Sequence, residues 1–262
     1  MSDVERLLAE AEAHPVEGWD FSWLGERMQI APLPWSFDEI AATHAETSPD
    51  LLDMETGGGE WLTGLRVRPA RTVATEAWPP NIGVARTRLE PLGITVVQDE
   101  GAPENVEQSE HETRGGLPFP AESFALISNR HGAFVPSELA RVLVRGGVFL
   151  TEQVGGDYDE FYDTLGLPRP SGRGREWTRQ RATTQLERAG LHVTDAAEAR
   201  EATSFADVGA FAWYLKAIPW VVRDFTVAAY RTQLERVQAR IDKEGALTVR
   251  QPAFWLRAEK PR

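Results

Sequence analysis

The sequence predicts an α/β fold built on an open, mainly parallel sheet with helices on both faces. Three observations predict it. Short apolar runs recur along the chain with helical stretches between them, the rhythm of parallel strands joined by crossover helices. One run, Leu51-Leu52-Asp53, ends on a carboxylate and passes at once into Glu55-Thr56-Gly57-Gly58-Gly59. Glycine has no Cβ, so such a loop can take positive φ and lie tight against a ligand at the carboxyl end of a sheet. Two later runs, Phe124-Ala125-Leu126-Ile127 and Gly147-Val148-Phe149-Leu150, are continuously apolar, as strands covered on both faces are.

The elements follow in order. Ser2 with Glu5 fits a capping box, and Val4, Leu7, Leu8 and Ala11 recur at helical spacing behind it. The aromatic segment Gly18-Trp19-Asp20-Phe21-Ser22-Trp23-Leu24 is expected to pack onto the main domain. Residues 37–46 read as a helix with Ser36 as its N-cap. Seven strands are predicted at 51–53, 72–76, 94–97, 124–128, 147–153, 191–197 and 253–259. Residues 100–116 form a polar, acidic insertion, expected to be a surface loop. Before the last strand, Val227, Tyr230, Leu234, Val237 and Ile241 step by three and four, a helix that Gly245 stops. The expected organisation is one domain over 1–262, with a helical extension at 1–48 and a helical insertion or lid at 204–245.

Composition narrows the function. A formal charge of −12 argues against a broad phosphate-binding face, so no nucleic-acid partner is expected. The chain has no cysteine, which removes disulfides, thiolate metal sites and cysteine nucleophiles and fits a cytoplasmic location. The N-terminus carries no apolar signal core, and the most apolar later stretch, 205–220, is broken by Asp207, Lys216 and Pro219, so no membrane association is expected. His14, His44, His111, His131 and His192 are scattered without a spaced pair, so no metal site is expected. No Gly-Lys-Ser/Thr follows the glycines, which speaks against a nucleoside triphosphatase.

The glycine loop admits several ligands. A nicotinamide dinucleotide needs a third small residue after Gly57 and Gly59, and Leu62 stands there instead. Glu76 ends the second predicted strand, where a carboxylate can accept bonds from both ribose hydroxyls of an adenosine or simply be solvated. Asp53 can meet the ligand or cap its own loop.

Two further segments, Leu117-Pro118-Phe119-Pro120-Ala121-Glu122-Ser123-Phe124 and Glu138-Leu139-Ala140-Arg141-Val142-Leu143-Val144-Arg145-Gly146-Gly147, supply a turn, a helix and a glycine turn that feed buried strands. With the Asp53 loop and Glu76 they resemble, in order and spacing, the S-adenosylmethionine-dependent methyltransferases of the Rossmann-like class, especially the group acting on small molecules. The resemblance is specific from 51 to 153 and looser beyond. It implies a Rossmann-like sheet whose last strand, 254–258, runs antiparallel, and S-adenosyl-L-methionine as cofactor. It also implies that Asp53, Gly57 and Gly59 contact the methionine moiety, that Glu76 holds the ribose and that Asp99 meets the adenine. Glu55 replaces the family's first loop glycine. It is expected to point away from the cofactor or to meet its ammonium group, because a carboxylate facing the ligand's carboxylate would repel it.

Methyl transfer from a sulfonium is an in-line displacement, and a base is needed only when the acceptor must lose a proton. His131, after the fourth predicted strand, is the candidate base, with Asn129 orienting the acceptor. Both have bland alternatives: a loop histidine bonded to backbone and a turn-capping amide. Arg130 can pair an anionic substrate or make a surface salt bridge. Glu152 and Gln153 end the fifth predicted strand on the same rim. Trp213, Tyr214 and Trp220 can line an acceptor pocket or pack the helical insertion. Arg169, Arg173, Arg175, Arg179 and Arg181 can guide an anion or form a solvated face. The leading expectation is methyl transfer to a small or medium-sized molecule. A non-catalytic cofactor-binding protein of the same fold stays open, as does a nicotinamide-dependent oxidoreductase.

Overall fold

The computed structural model describes residues 2–16, 20–108 and 112–262. Gly18, Trp19 and His111 lie outside them, as does the side chain of Arg173. Among the described residues eight strands form one sheet: β1 (Met28–Ile30), β2 (Asp50–Met54), β3 (Arg71–Glu76), β4 (Thr95–Gln98), β5 (Phe124–Arg130), β6 (Leu143–Val154), β7 (His192–Phe205) and β8 (Leu247–Glu259). Their order across the sheet is β1-β7-β8-β6-β5-β2-β3-β4. Strands β4, β3, β2, β5 and β6 are parallel neighbours, and β8 runs antiparallel to β6 as expected. The helices are α1 (Asp3–Ala13), α2 (Phe37–Ala45), α3 (Glu60–Gly64), α4 (Pro79–Leu89), α5 (Pro136–Val142), α6 (Asp159–Leu165), α7 (Arg179–Arg188), α8 (Val208–Ala217) and α9 (Arg231–Glu244).

The chain divides into two compact units: 1–33 with 157–171 and 200–251, and 34–156 with 172–199 and 252–262. The second unit carries β2 to β6, and its core follows from the two-residue period of a strand. Leu51, Leu126, Leu150 and Trp255 face one cluster with Phe37 and Ala41 of α2 and Ala85 and Leu89 of α4. Their neighbours Leu52, Ile127, Phe149 and Phe254 face the other, with Leu139 of α5 and Ala182 and Leu186 of α7. Both faces are therefore dry, which is why these strands read as unbroken apolar runs.

The first unit is organised around α8, whose Phe211, Trp213 and Leu215 are fully buried. The capping box of α1 is present: Glu5 N–H donates to Ser2 Oγ at 3.2 Å and Ser2 N–H to the Glu5 carboxylate at 2.8 Å. Lys216 Nζ donates to the carbonyls of Ala11, Glu12 and His14, closing the other end of α1. Of the aromatic segment expected on the main domain, Trp23 packs within this first unit: its ring stacks on His14 at 4.4 Å and lies 5.5 Å from Trp213.

The structure departs from the sequence reading in several places, and β6 begins at Leu143 rather than at 147. The strand β1 is additional; at three residues it has no readable period, and it exists because it pairs with Thr203, Ser204 and Phe205 of β7. β7 and β8 run well beyond 197 and begin well before 253. The polar run Glu198-Ala199-Arg200-Glu201 hides the first extension, and Pro252, inside β8, hides the second. The helix expected from Val227 starts at Arg231 and ends on Gly245 at φ 88°. Finally, 100–116 is more than a surface loop. Asn105 and Val106 are buried, and Asn105 Oδ1 accepts the Phe134 N–H at 3.1 Å.

In the first unit one carboxylate does two jobs. Asp207 accepts Arg27 Nε and a terminal nitrogen, each at 2.7 Å, and caps α8 through the Ala210 N–H at 2.9 Å. Asp207→Ala removes the cap and strands a half-buried guanidinium, so it is expected to destabilise the protein by about 2–4 kcal/mol, read as a lower urea midpoint.

Candidate functional site

The carboxyl ends of β2, β3, β4 and β5 lie side by side and bring together Asp53, Glu55, Gly57, Gly59, Glu76, Asp99, Asn129 and His131. The loop after β2 turns three times through the left-handed region, at Glu55 (φ 55°), Gly57 (φ 63°) and Gly59 (φ 81°). Gly59 also passes against α4. A Cβ there would stand 2.7 Å from Leu89 Cγ, so only glycine allows the approach. Arg88 fixes the loop from α4 by bonding both the Gly58 carbonyl and the Glu60 carboxylate.

Glu76 ends β3 almost wholly buried. One carboxylate oxygen accepts the Gly57 N–H at 2.7 Å and the other the Trp78 N–H at 2.7 Å. The carboxylate thus ties the glycine loop to the start of α4. Two acceptor positions remain, because a carboxylate offers about four. Burial raises its pKa against the two amide bonds. Trp78 beside it is 62% exposed, a ring at the rim that the sequence reading passed over. Asp99 follows β4, accepts the Gly101 N–H at 3.1 Å and is likewise raised by burial.

Glu55 does not point away. It holds φ 55°, a left-handed conformation that costs a side-chain-bearing residue about 1–2 kcal/mol. Its stem lies along Gly132 in the loop after β5: a Cβ on Gly132 would be 2.7 Å from Glu55 Cβ and 2.8 Å from Cγ. Its Oε1 is 3.6 Å from where a Cβ on Gly101, after β4, would stand. The side chain therefore crosses from the β5 loop to the β4 loop, over the end of β3. Burial pushes its pKa up to about 8, helped by the charges of Asp99 and Glu76, while the nearby Ala77 N–H pulls the other way. The expectation of an outward Glu55 fails because its direction is set by its positive φ and by two glycines far away in sequence.

Asp53 faces inward. It is 2% exposed, pairs in register with Ser128 of β5 and accepts the Ser128 hydroxyl at 2.8 Å. Burial raises its pKa to about 6, opposed by Ser128. Asn129 is fully buried. Its Oδ1 accepts Gln153 at 2.8 Å and Thr151 at 3.2 Å, which leaves it holding the strand ends together. Trp177 Nε1 extends the network to Gln153 at 3.3 Å. His131 is exposed at φ 62°, with its N–H donated to the Glu152 carbonyl at 2.8 Å. Desolvation and the Arg130 charge hold its imidazole below the usual range against the pull of Glu152, so it is neutral at pH 7. Arg130 is bound by buried Glu152 at 2.9 Å, and Glu152 also accepts Trp35 Nε1 at 2.8 Å. Arg130 is thereby paired internally.

Other sequence candidates lie elsewhere in the fold. Trp213 and Tyr214 are buried in the α8 core, and Trp220 is exposed. In the basic run, Arg169 pairs with Asp159 and Asp163, Arg179 with Glu198 and Arg181 with Glu176. Among the described residues no helix is long and apolar enough to cross a membrane, and no group of three His, Asp or Glu is placed to hold a metal.

No family model matches the chain, and no curated protein matches it. Solved structures do. A candidate methyltransferase from Bacillus halodurans aligns with a TM-score of 0.56 and 20% identity over 86% of this chain and 97% of its own. The YcgJ protein from Bacillus subtilis gives 0.57 and 16%, over 86% and 98%. A functionally unknown protein from Deinococcus radiodurans gives 0.54 and 15%, over 89% and 90%. At these identities the likeness is one of fold, and the chain has the Rossmann-like methyltransferase fold.

The raised carboxyl at Glu55 has a thermodynamic signature. The folded chain holds this proton more tightly than the unfolded chain, whose value is 4.5. The resulting stability is complete below about pH 4.5 and is lost as pH climbs through about 8. Urea unfolding of wild type and Glu55→Gln from pH 5 to 8.5 is expected to show wild type losing stability relative to the variant across that window. Glu76 and Asp99, still present in both, shift the two curves together.

Proposed function

We propose that the chain binds S-adenosyl-L-methionine and transfers its methyl group to a small or medium-sized acceptor. The observation that carries this reading is Glu76. It is a buried carboxylate, fixed on both oxygens by the Gly57 and Trp78 amides, with two acceptor positions left for a pair of ribose hydroxyls. Two buried hydroxyls of the same cradle, on Thr56 and Thr75, lie beside the Asp53 and Asp99 carboxylates and help to hold them. The backbone of the loop fits the cofactor. The one misfit is the Glu55 side chain, which has to leave the crossing it makes.

When bound, the cofactor supplies an electrophilic methyl group on a sulfonium. The residues of this chain bind, orient and exclude water. Gly57 and Gly59 would let the loop backbone approach, Glu76 would hold the ribose, and Asp99 would meet the adenine. Asp53, locked to Ser128, keeps β2 and β5 in register beneath the methionine end. If the acceptor carries a proton, His131 at the end of β5 is the group that would take it, as a weak base whose pKa is pushed down to about 4. Asn129 holds the ends of β5 and β6 and thereby fixes His131 two residues on.

Glu55 also favours a second reading, a protein that keeps the fold without methyl transfer. Labelled-methyl transfer into cell extract separates the two. The nicotinamide reading is disfavoured by Leu62, which is fully buried where the fingerprint needs a small residue.

Titration calorimetry is expected to show heat of binding with S-adenosylhomocysteine and none with NAD. Glu76→Ala should weaken the homocysteine product about tenfold or more, since a bond to a charged group is worth about 1.5–3 kcal/mol. Unchanged binding in that variant would remove Glu76 from the ribose site.

A further inference from the structure

We infer that the Glu55 side chain is a resident occupant of the cradle and that an adenosyl ligand binds by displacing it. This rests on the cofactor reading above. The methyltransferase pattern has glycine at this position; here a glutamate takes the same left-handed backbone, at φ 55°. Its path is accommodated on both sides. Gly132 meets its stem, since a Cβ there would stand 2.7 Å from Glu55 Cβ and 2.8 Å from Asn129 Nδ2. Gly101, at φ 68°, leaves room for its carboxyl, and a Cβ there would also meet Ala77 Cβ at 2.8 Å. The side chain thus has a fitted berth made by residues of three loops, after β3, β4 and β5.

That berth and the ligand claim the same space. The Glu55 side chain lies between Gly132, after β5, and Gly101, after β4, close enough to Glu76 for that carboxylate to act on its proton. A ribose accepted by Glu76 would meet it there, and on this proposal the two exclude each other. A carboxyl between Glu76 and Asp99 is also held best in its neutral form, which lets it rest beside two acids. The measured affinity is then the intrinsic affinity multiplied by the fraction of molecules with the side chain out. Glu55 becomes a residue that sets the concentration of cofactor at which the protein fills.

The test is calorimetry of the full chain with S-adenosylhomocysteine at pH 7, for wild type, Glu55→Gly and Glu55→Gln. Glu55→Gly empties the berth and relieves the backbone, so it is expected to bind at least tenfold more tightly, about 1.4 kcal/mol. Its thermal midpoint should be no lower than wild type. Glu55→Gln keeps the shape of the side chain and should bind no more tightly than wild type. Equal affinity of wild type and the glycine variant would overturn the displacement while leaving the cofactor reading intact. Weaker binding by the glycine variant would overturn it too, making Glu55 a ligand of the cofactor. Absence of binding in both would overturn the cofactor reading and the displacement with it.

Discussion

The rim of the second unit depends on one constraint: the Glu76 carboxylate must be satisfied where it ends β3. Buried and flanked by acids, it would be costly as an isolated charge. Its two amide bonds, to Gly57 and Trp78, answer that cost and in doing so place everything around it. The Gly57 bond draws the glycine loop over the end of β3. The Trp78 bond starts α4 at Pro79, and α4 in turn brings Leu89 against Gly59 and Arg88 against the Gly58 carbonyl. Loop, strand end and helix are thus one hydrogen-bonded assembly, and a change at Glu76 is felt in all three.

Much of this was legible in the chain and some was not, for physical reasons. The strands buried on both faces were legible because their apolar runs have no alternative home; Leu126 and Ile127 simply go to opposite sides. The caps at Ser2 and Ser36 were legible because they are local, with each donor three residues away. β1 was not, since three residues borrow their order from β7. The extra length of β7 was masked by polar residues on a strand that is only partly buried. At the site, Glu76 and the two glycines stand where their order in the sequence put them. The direction of Glu55 was hidden, because it depends on Gly101 and Gly132, whose nearness only the sheet order creates.

The end of β5 shows the same limit. Asn129 and His131 stand two residues apart and have opposite fates. Alternation along the strand sends Asn129 into a closed network with Thr151 and Gln153, while the left-handed turn at His131 puts the imidazole in solvent. A polar residue at a strand end is therefore a weak sign of contact with an acceptor. What separates the two is whether the side chain's hydrogen bonds are already filled, and that is a property of the neighbouring strand β6.

Electrostatics bears on which ligand such a rim suits. Asp53, Glu55, Glu76 and Asp99 all have raised pKa values, and burial is the largest cause in each. A pyrophosphate brought here would meet four acids, and the Gly57 amide that a phosphate loop offers is already given to Glu76. A sulfonium and an ammonium group reverse the sign. Each positive charge lowers the pKa of the acids it faces and lets them ionise without mutual repulsion. The mutual repulsion of these acids is what positive charge at the rim would relieve. In this chain the proton on Glu55 fills the same need.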